Sequence, residues 1–211
     1  MDKHKKLHKY EALHGLKDQM EKDNSLPLKN GATRLVFGTG NTEAEILCVG
    51  EGPGRMEDKE GLPFVGPAGK LLDKLLVLAG LERKKVFITN VVHHRPPNNR
   101  DPEPDEISAY GKYLDKIIKI IDPKVIITLG RFSMAKFLPN VFISSVHGVK
   151  HNIVWKGKQL IVFPMYHPAA SLRNGAILEA EKLDFIAMGK LLPEILASKD
   201  DTVKLEQENL V

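Results

Sequence analysis

Three polar side chains, each set where a short apolar run ends, are the residues of this chain best placed to do chemistry. Glu51 follows ILCVG (46–50) inside GEGPG (50–54), Asn90 closes the apolar part of VFITN (86–90), and His167 opens HPAASLRN (167–174). Phe64, in LPFVGPAG (62–69), adds an aromatic face, and GRFS (130–133) follows a further apolar run, VIITL (125–129). A carboxylate, an amide, an imidazole and a ring can together accept, donate and stack around one small ligand. Taken singly, each has an ordinary explanation. Glu51 can be a solvated turn residue, Asn90 a turn former, His167 a satisfied loop histidine and Phe64 a core residue. The glycines of GEGPG allow tight turns and close approach to a ligand, but the G-x-x-x-x-G-K-[ST] spacing of a phosphate-binding loop is absent.

The elements that must position these groups follow from periodicity. Continuous β-branched runs predict buried strands over 46–50, 86–92, 125–129 and 160–163. Helical spacing falls between and around them, over 69–79, 105–121, 131–138 and 176–197, with a charged N-terminal helix over 5–20. Pro104, Asp105 and Glu106 are a helix-start signature. Strands alternating with helices predict a parallel sheet covered on both faces, and such sheets bind ligands at the carboxyl ends of their strands. The loops bearing Glu51, Asn90, Arg131 and His167 all follow predicted strands and so converge on one rim. One domain is expected over 1–197, with 1–28 as a helical extension and 198–211 as a polar tail.

Composition narrows the setting. A chain of 211 residues, 42% hydrophobic and 27% charged, suits one globular core. The opening MDKHKKLHKY has no apolar core of a secretory signal, and no apolar run approaches the ~20 residues of a membrane helix. The single cysteine, Cys48, excludes an internal disulfide or a thiolate metal cage, so a cytoplasmic setting is expected; nothing in the sequence signals an oligomer, and a monomer is expected. A net charge of +4 and a pI near 9.0 suit contact with a polyanion, though many enzymes share them.

Three segments in this order, GEGPGRMEDKEGLPFVGPAGKLLDKLL, ITNVVHHRPPNNRDPEPDE and HPAASLRN, resemble the signature regions of the family 4 uracil-DNA glycosylases. With the approach segment ATRLVFGTGN, the likeness runs over about 29–196. It implies a three-layer α/β/α sandwich around a four-stranded parallel sheet, and an enzyme that flips deoxyuridine out of DNA and hydrolyses its N-glycosidic bond. By the same resemblance Glu51 positions the attacking water, Asn90 reads the uracil edge and His167 donates to O2 as the base leaves. Phe64 stacks on the base, Glu57 guards its C5 side, and Gly50 and Gly52 shape the pocket. Leu172 wedges into the duplex, while Arg95, Arg100, Arg131, Ser133 and Arg173 meet phosphate. Uracil-containing DNA is the implied partner, and no obligate protein partner is evident.

Members of that family place four cysteines around an iron–sulfur cluster. Here the corresponding positions are Asp23, Leu26, His94 and Tyr110, none of which is a thiolate, so neither a cluster nor any other cofactor or metal is expected. The chain also lacks the KRRIH insertion of covalently trapping relatives, which argues against His93 and His94 as nucleophiles. Two other functions stay open on sequence alone: a non-catalytic nucleic-acid-binding module on the same fold, and a hydrolase or transferase acting on a free nucleoside or nucleotide.

Overall fold

A computed structural model of the chain describes residues 3–198. The proposed polar tail lies outside the described residues apart from Ser198. Six strands form one sheet: β1 (Thr39–Gly40), β2 (Ile46–Gly50), β3 (Phe87–Asn90), β4 (Val125–Leu129), β5 (His151–Trp155) and β6 (Lys158–Met165), in the order β1-β3-β2-β4-β6-β5. The middle four are parallel, as expected, and β1 and β5 flank them antiparallel.

Every residue of β2, β3 and β4 is buried, because both faces of the sheet are covered. Side chains alternate across a strand, and the two apolar cores divide accordingly. Leu47 and Val49 of β2 join one core, and Ile46 and Cys48 join the other. The first core takes Leu13, Leu16 and Met20 of α1 (Lys3–Lys22) and the apolar face of α4 (Pro104–Ile121), including Leu114, Ile117 and Ile121. The second takes Leu72, Leu75 and Leu76 of α3 (Pro67–Leu78) together with Phe185, Met188 and Leu192 of α8 (Gly175–Ala197). Three layers result.

Local chemistry sets the helix starts. In α4, Pro104 follows the N-cap Glu103, and Glu103 and Glu106 satisfy each other's backbone N–H groups in a capping box. Pro67 likewise moves the start of α3 two residues ahead of the expected 69. Between these elements lie the shorter helices α2 (Arg55–Glu60), α5 (Arg131–Ala135), α6 (Ile143–Val146) and α7 (Pro168–Ser171). The hairpin of β5 and β6 was not anticipated. It turns on Lys156 (φ 49°) and Gly157 (φ 83°), the pair of positive φ values that matches strand twist. Among the described residues no helix is long and apolar enough to cross a membrane.

Candidate active site

At the carboxyl ends of the four parallel strands the loops enclose a cavity of about 720 Å³. Glu51, Gly52, Glu57, Phe64, Asn90 and His167 all line it. Asn90 is the last residue of β3 and only 2% exposed, so an amide is brought to the cavity wall inside apolar surroundings. Gly50 lies behind it. A Cβ there would come within 2.4 Å of Asn90 Oδ1 and 2.7 Å of the Phe64 ring, so only glycine lets both approach the strand end.

Glu51 reaches across to the next strand-end loop, where the Phe132 N–H at the start of α5 donates to its Oε1 over 3.1 Å. Gly130, at φ 109°, makes that approach feasible; a Cβ would fall 2.3 Å from the same oxygen. Burial raises the Glu51 pKa, and the Phe132 N–H and the Arg131 charge pull against that rise.

Phe64 has φ 54°, an uncommon backbone state for a bulky residue. Glu57 explains how it is held. Its Oε1 accepts from the N–H groups of Val65 at 3.0 Å and Gly66 at 2.9 Å, holding the loop immediately after Phe64. One oxygen of this carboxylate is therefore bound to backbone beside the ring, while the residue also lines the cavity. Phe64 and His167 stack with centroids 5.7 Å apart and planes at 26°.

His167 caps α7. The Ala169 N–H donates to its Nδ1 over 3.1 Å, so Nδ1 is the acceptor and the ring proton sits on Nε2. Burial and the Arg173 charge lower its pKa to about 4. The imidazole is neutral at pH 7 and offers one N–H.

The rim differs in part from expectation. Leu172 is 51% exposed at the end of α7 and, with Arg100, Arg131 and Arg173, lines the cavity. Each arginine also has an internal partner: Arg131 pairs with Asp101, Arg100 makes a two-pronged bond to Glu106 at 2.6 and 2.8 Å, and Arg173 Nε donates to the Ala169 carbonyl. Arg95 donates to Asn99 and lies off the cavity lining. Ser133 is fully buried, and its hydroxyl donates to the Gly130 carbonyl. That bond closes the first turn of α5. Asp101 and Tyr166 also line the cavity, each directly adjoining in sequence a residue with an expected role, Arg100 and His167.

The positions expected to replace cluster cysteines lie outside the cavity lining. Tyr110 is fully buried, and its hydroxyl meets His94 Nδ1 at 2.7 Å. Leu26 is buried in the same core as Tyr110. The Asp23 carboxylate accepts from Ser25, Lys112 and Tyr113. An iron–sulfur cluster needs thiolates, and the one cysteine, Cys48, is buried in β2. These donors do not fit such a cluster. Among the described residues no group of three or more His, Cys, Asp or Glu side chains is gathered to hold a metal ion. His93 and His94 are buried as well, and burial lowers their pKa values to about 3 and about 4.

Comparison with known proteins is consistent with this geometry. The family model of the uracil DNA glycosylase superfamily matches residues 37–187. A type-4 uracil-DNA glycosylase of Sulfurisphaera tokodaii is 47% identical over 181 residues, covering 83% of this chain and 82% of that protein. The type-4 enzyme of Archaeoglobus fulgidus is 47% identical over 75% of this chain and 82% of its own length. That of Saccharolobus solfataricus is 44% identical over 88% and 87% respectively.

Proposed function

The chain belongs to the uracil DNA glycosylase superfamily, among its type-4 members, and from that premise we propose how its own residues excise uracil from DNA. A deoxyuridine leaves the base stack and enters the cavity. The Asn90 amide accepts from uracil N3–H and donates to O4; cytosine presents the reverse pattern and is refused. Phe64, braced by Glu57, stacks on the base. Glu51 positions a water for attack at C1′ and stabilises the positive charge that grows on the sugar. As the C1′–N1 bond breaks, its electron pair stays on uracil, and the water oxygen bonds to C1′ while its proton passes to the Glu51 carboxylate. The His167 Nε2–H donates to O2 of the departing anion, a bond that strengthens as charge develops.

One observation carries this reading: the cap on Nδ1 fixes His167 as a neutral Nε2–H donor in the same cavity as Asn90 and Glu51. A neutral donor suits an anionic leaving group, because it adds no competing proton equilibrium near pH 7. Leu172 fills the space vacated by the base, and Arg131 and Arg173 meet the DNA backbone once phosphate displaces their internal partners. The reaction asks nothing of a metal or cluster. We place the enzyme in the cytoplasm as a monomer.

The test is a labelled oligonucleotide with a single uracil, incubated with the protein and then treated with alkali. Strand scission is expected. A mobility shift without scission would instead indicate a non-catalytic binding module.

A further inference from the structure

Outside the cavity, the most unusual buried group is Glu181. It lies on α8, is fully buried, and carries an Oε1 with no hydrogen-bond partner among the described residues. Its other oxygen accepts a short hydrogen bond from the hydroxyl of Ser171, itself 2% exposed. A buried carboxyl with half its capacity unused is costly, and an apolar residue of similar size would normally be the more stable choice. Burial pushes its pKa up to about 7, with nearby Asp184 adding to the rise. Asp184 in turn is paired with His147 at 2.7 Å.

What the bond holds is the short helix α7. Four residues cannot sustain a helix unaided, so α7 depends on its two ends. At the first, His167 Nδ1 caps the Ala169 N–H. At the last, Ser171 is tied to Glu181, and the next residue is Leu172. The geometry points to Glu181 as a positioning residue for the Leu172 wedge, acting through Ser171 to fix where α7 delivers that side chain. This rests on the glycosylase reading above, in which Leu172 enters the duplex. Glu181 is not among the residues that line the cavity, so its effect is confined to substrates whose base must be held out of a paired helix.

The experiment compares single-turnover excision from one uracil oligonucleotide, single-stranded and paired, for Ser171→Ala, Glu181→Leu, Glu181→Gln and the reference variant Leu172→Ala. Ser171→Ala and Glu181→Leu are expected to slow excision from the duplex by about tenfold or more, while single-strand rates stay within about threefold. A Ser171→Ala/Glu181→Leu double variant should be no slower on duplex than the slower of the two single ones, since both remove one link. Glu181→Gln, which keeps shape and hydrogen bonding, should restore near wild-type duplex rates. A purely structural role would instead lower the melting temperature and slow both substrates together. That outcome, or undiminished duplex rates where Leu172→Ala is impaired, would overturn the inference. If Leu172→Ala showed no preference for either substrate, the wedge and its positioning would fall together. Absence of excision by the wild-type protein on both strands would refute the glycosylase reading itself.

Discussion

At the scale of single residues, the proposed mechanism assigns Asn90 and His167 to the leaving base and not to phosphate, and this separates their variants from those of the rim. Asn90→Ala and His167→Ala should each lower single-turnover excision by about 10²–10³, the usual loss for one donor to developing charge, with DNA binding largely kept. Near wild-type rates in both would refute the assignment. The His167 tautomer gives an independent check. By NMR its ring should titrate near 4, not near 6.5, so between pH 6 and 8 it stays neutral and imposes no ionisation on the rate. Neither residue was conspicuous alone; both became legible only through the motifs they share with the other strand-end loops, which the fold brings to one cavity. The brace made by Glu57 was not legible in sequence. The sequence shows a carboxylate near Phe64, but only the folded loop reveals that Oε1 is spent on the amides of Val65 and Gly66.

At the scale of elements, the strand-end loops divide the work. Leu172→Ala should slow excision from duplex more than from single-stranded uracil DNA, because a wedge matters only where pairing must be opposed, at a few kcal/mol per base. Equal losses would mean that Leu172 merely shapes its loop. The arginines behave differently. Arg131→Ala and Arg173→Ala should each flatten the log–log salt dependence of DNA binding by about one unit if they reach phosphate. Arg100→Ala should instead destabilise α4, since its guanidinium is held by Glu106 inside the capping box. An unchanged melting temperature with a flattened slope would reverse that assignment. The central strands could be read in advance because double burial writes itself as continuous apolar runs. The edge strand β5 could not: HNIVW alternates exposed and half-buried residues, and its pairing depends on a Lys156–Gly157 turn that has no asparagine to announce it. α5 proved shorter than expected because the apolar spacing of Phe137 and Leu138 continues past the last helical residue, Ala135.

At the scale of the whole molecule, three of the four cluster positions, Leu26, His94 and Tyr110, are buried side chains, and Asp23 is half-buried in hydrogen bonds at the surface. Protein purified without oxygen should be colourless, hold no stoichiometric iron or zinc, and keep its activity and melting temperature in chelator; stoichiometric metal or unfolding on chelation would contradict this. Acid should be the more effective denaturant. His93, His94 and His167 are buried with pKa values below the ordinary 6.5, so the unfolded chain binds more protons. Their stability contribution is complete above about pH 6.5 and is lost as pH falls towards 4, on the order of 3 kcal/mol for a group such as His94. Glu181, raised to about 7, works with the opposite sign: its contribution is complete below about pH 4.5 and fades as pH rises through 7. Urea midpoints measured across this range should therefore fall on acidification, and a flat profile would show that the histidines are accessible. A different use follows from Cys48. It sits in the middle of the sheet with no exposure, and burial pushes its thiol up to about 12. A thiol reagent can reach it only when β2 leaves its neighbours, so the rate of alkylation becomes a clock for global opening. Because the chain has no second cysteine to confuse the signal, the protein carries its own single-site reporter of unfolding, readable by mass in the presence or absence of DNA.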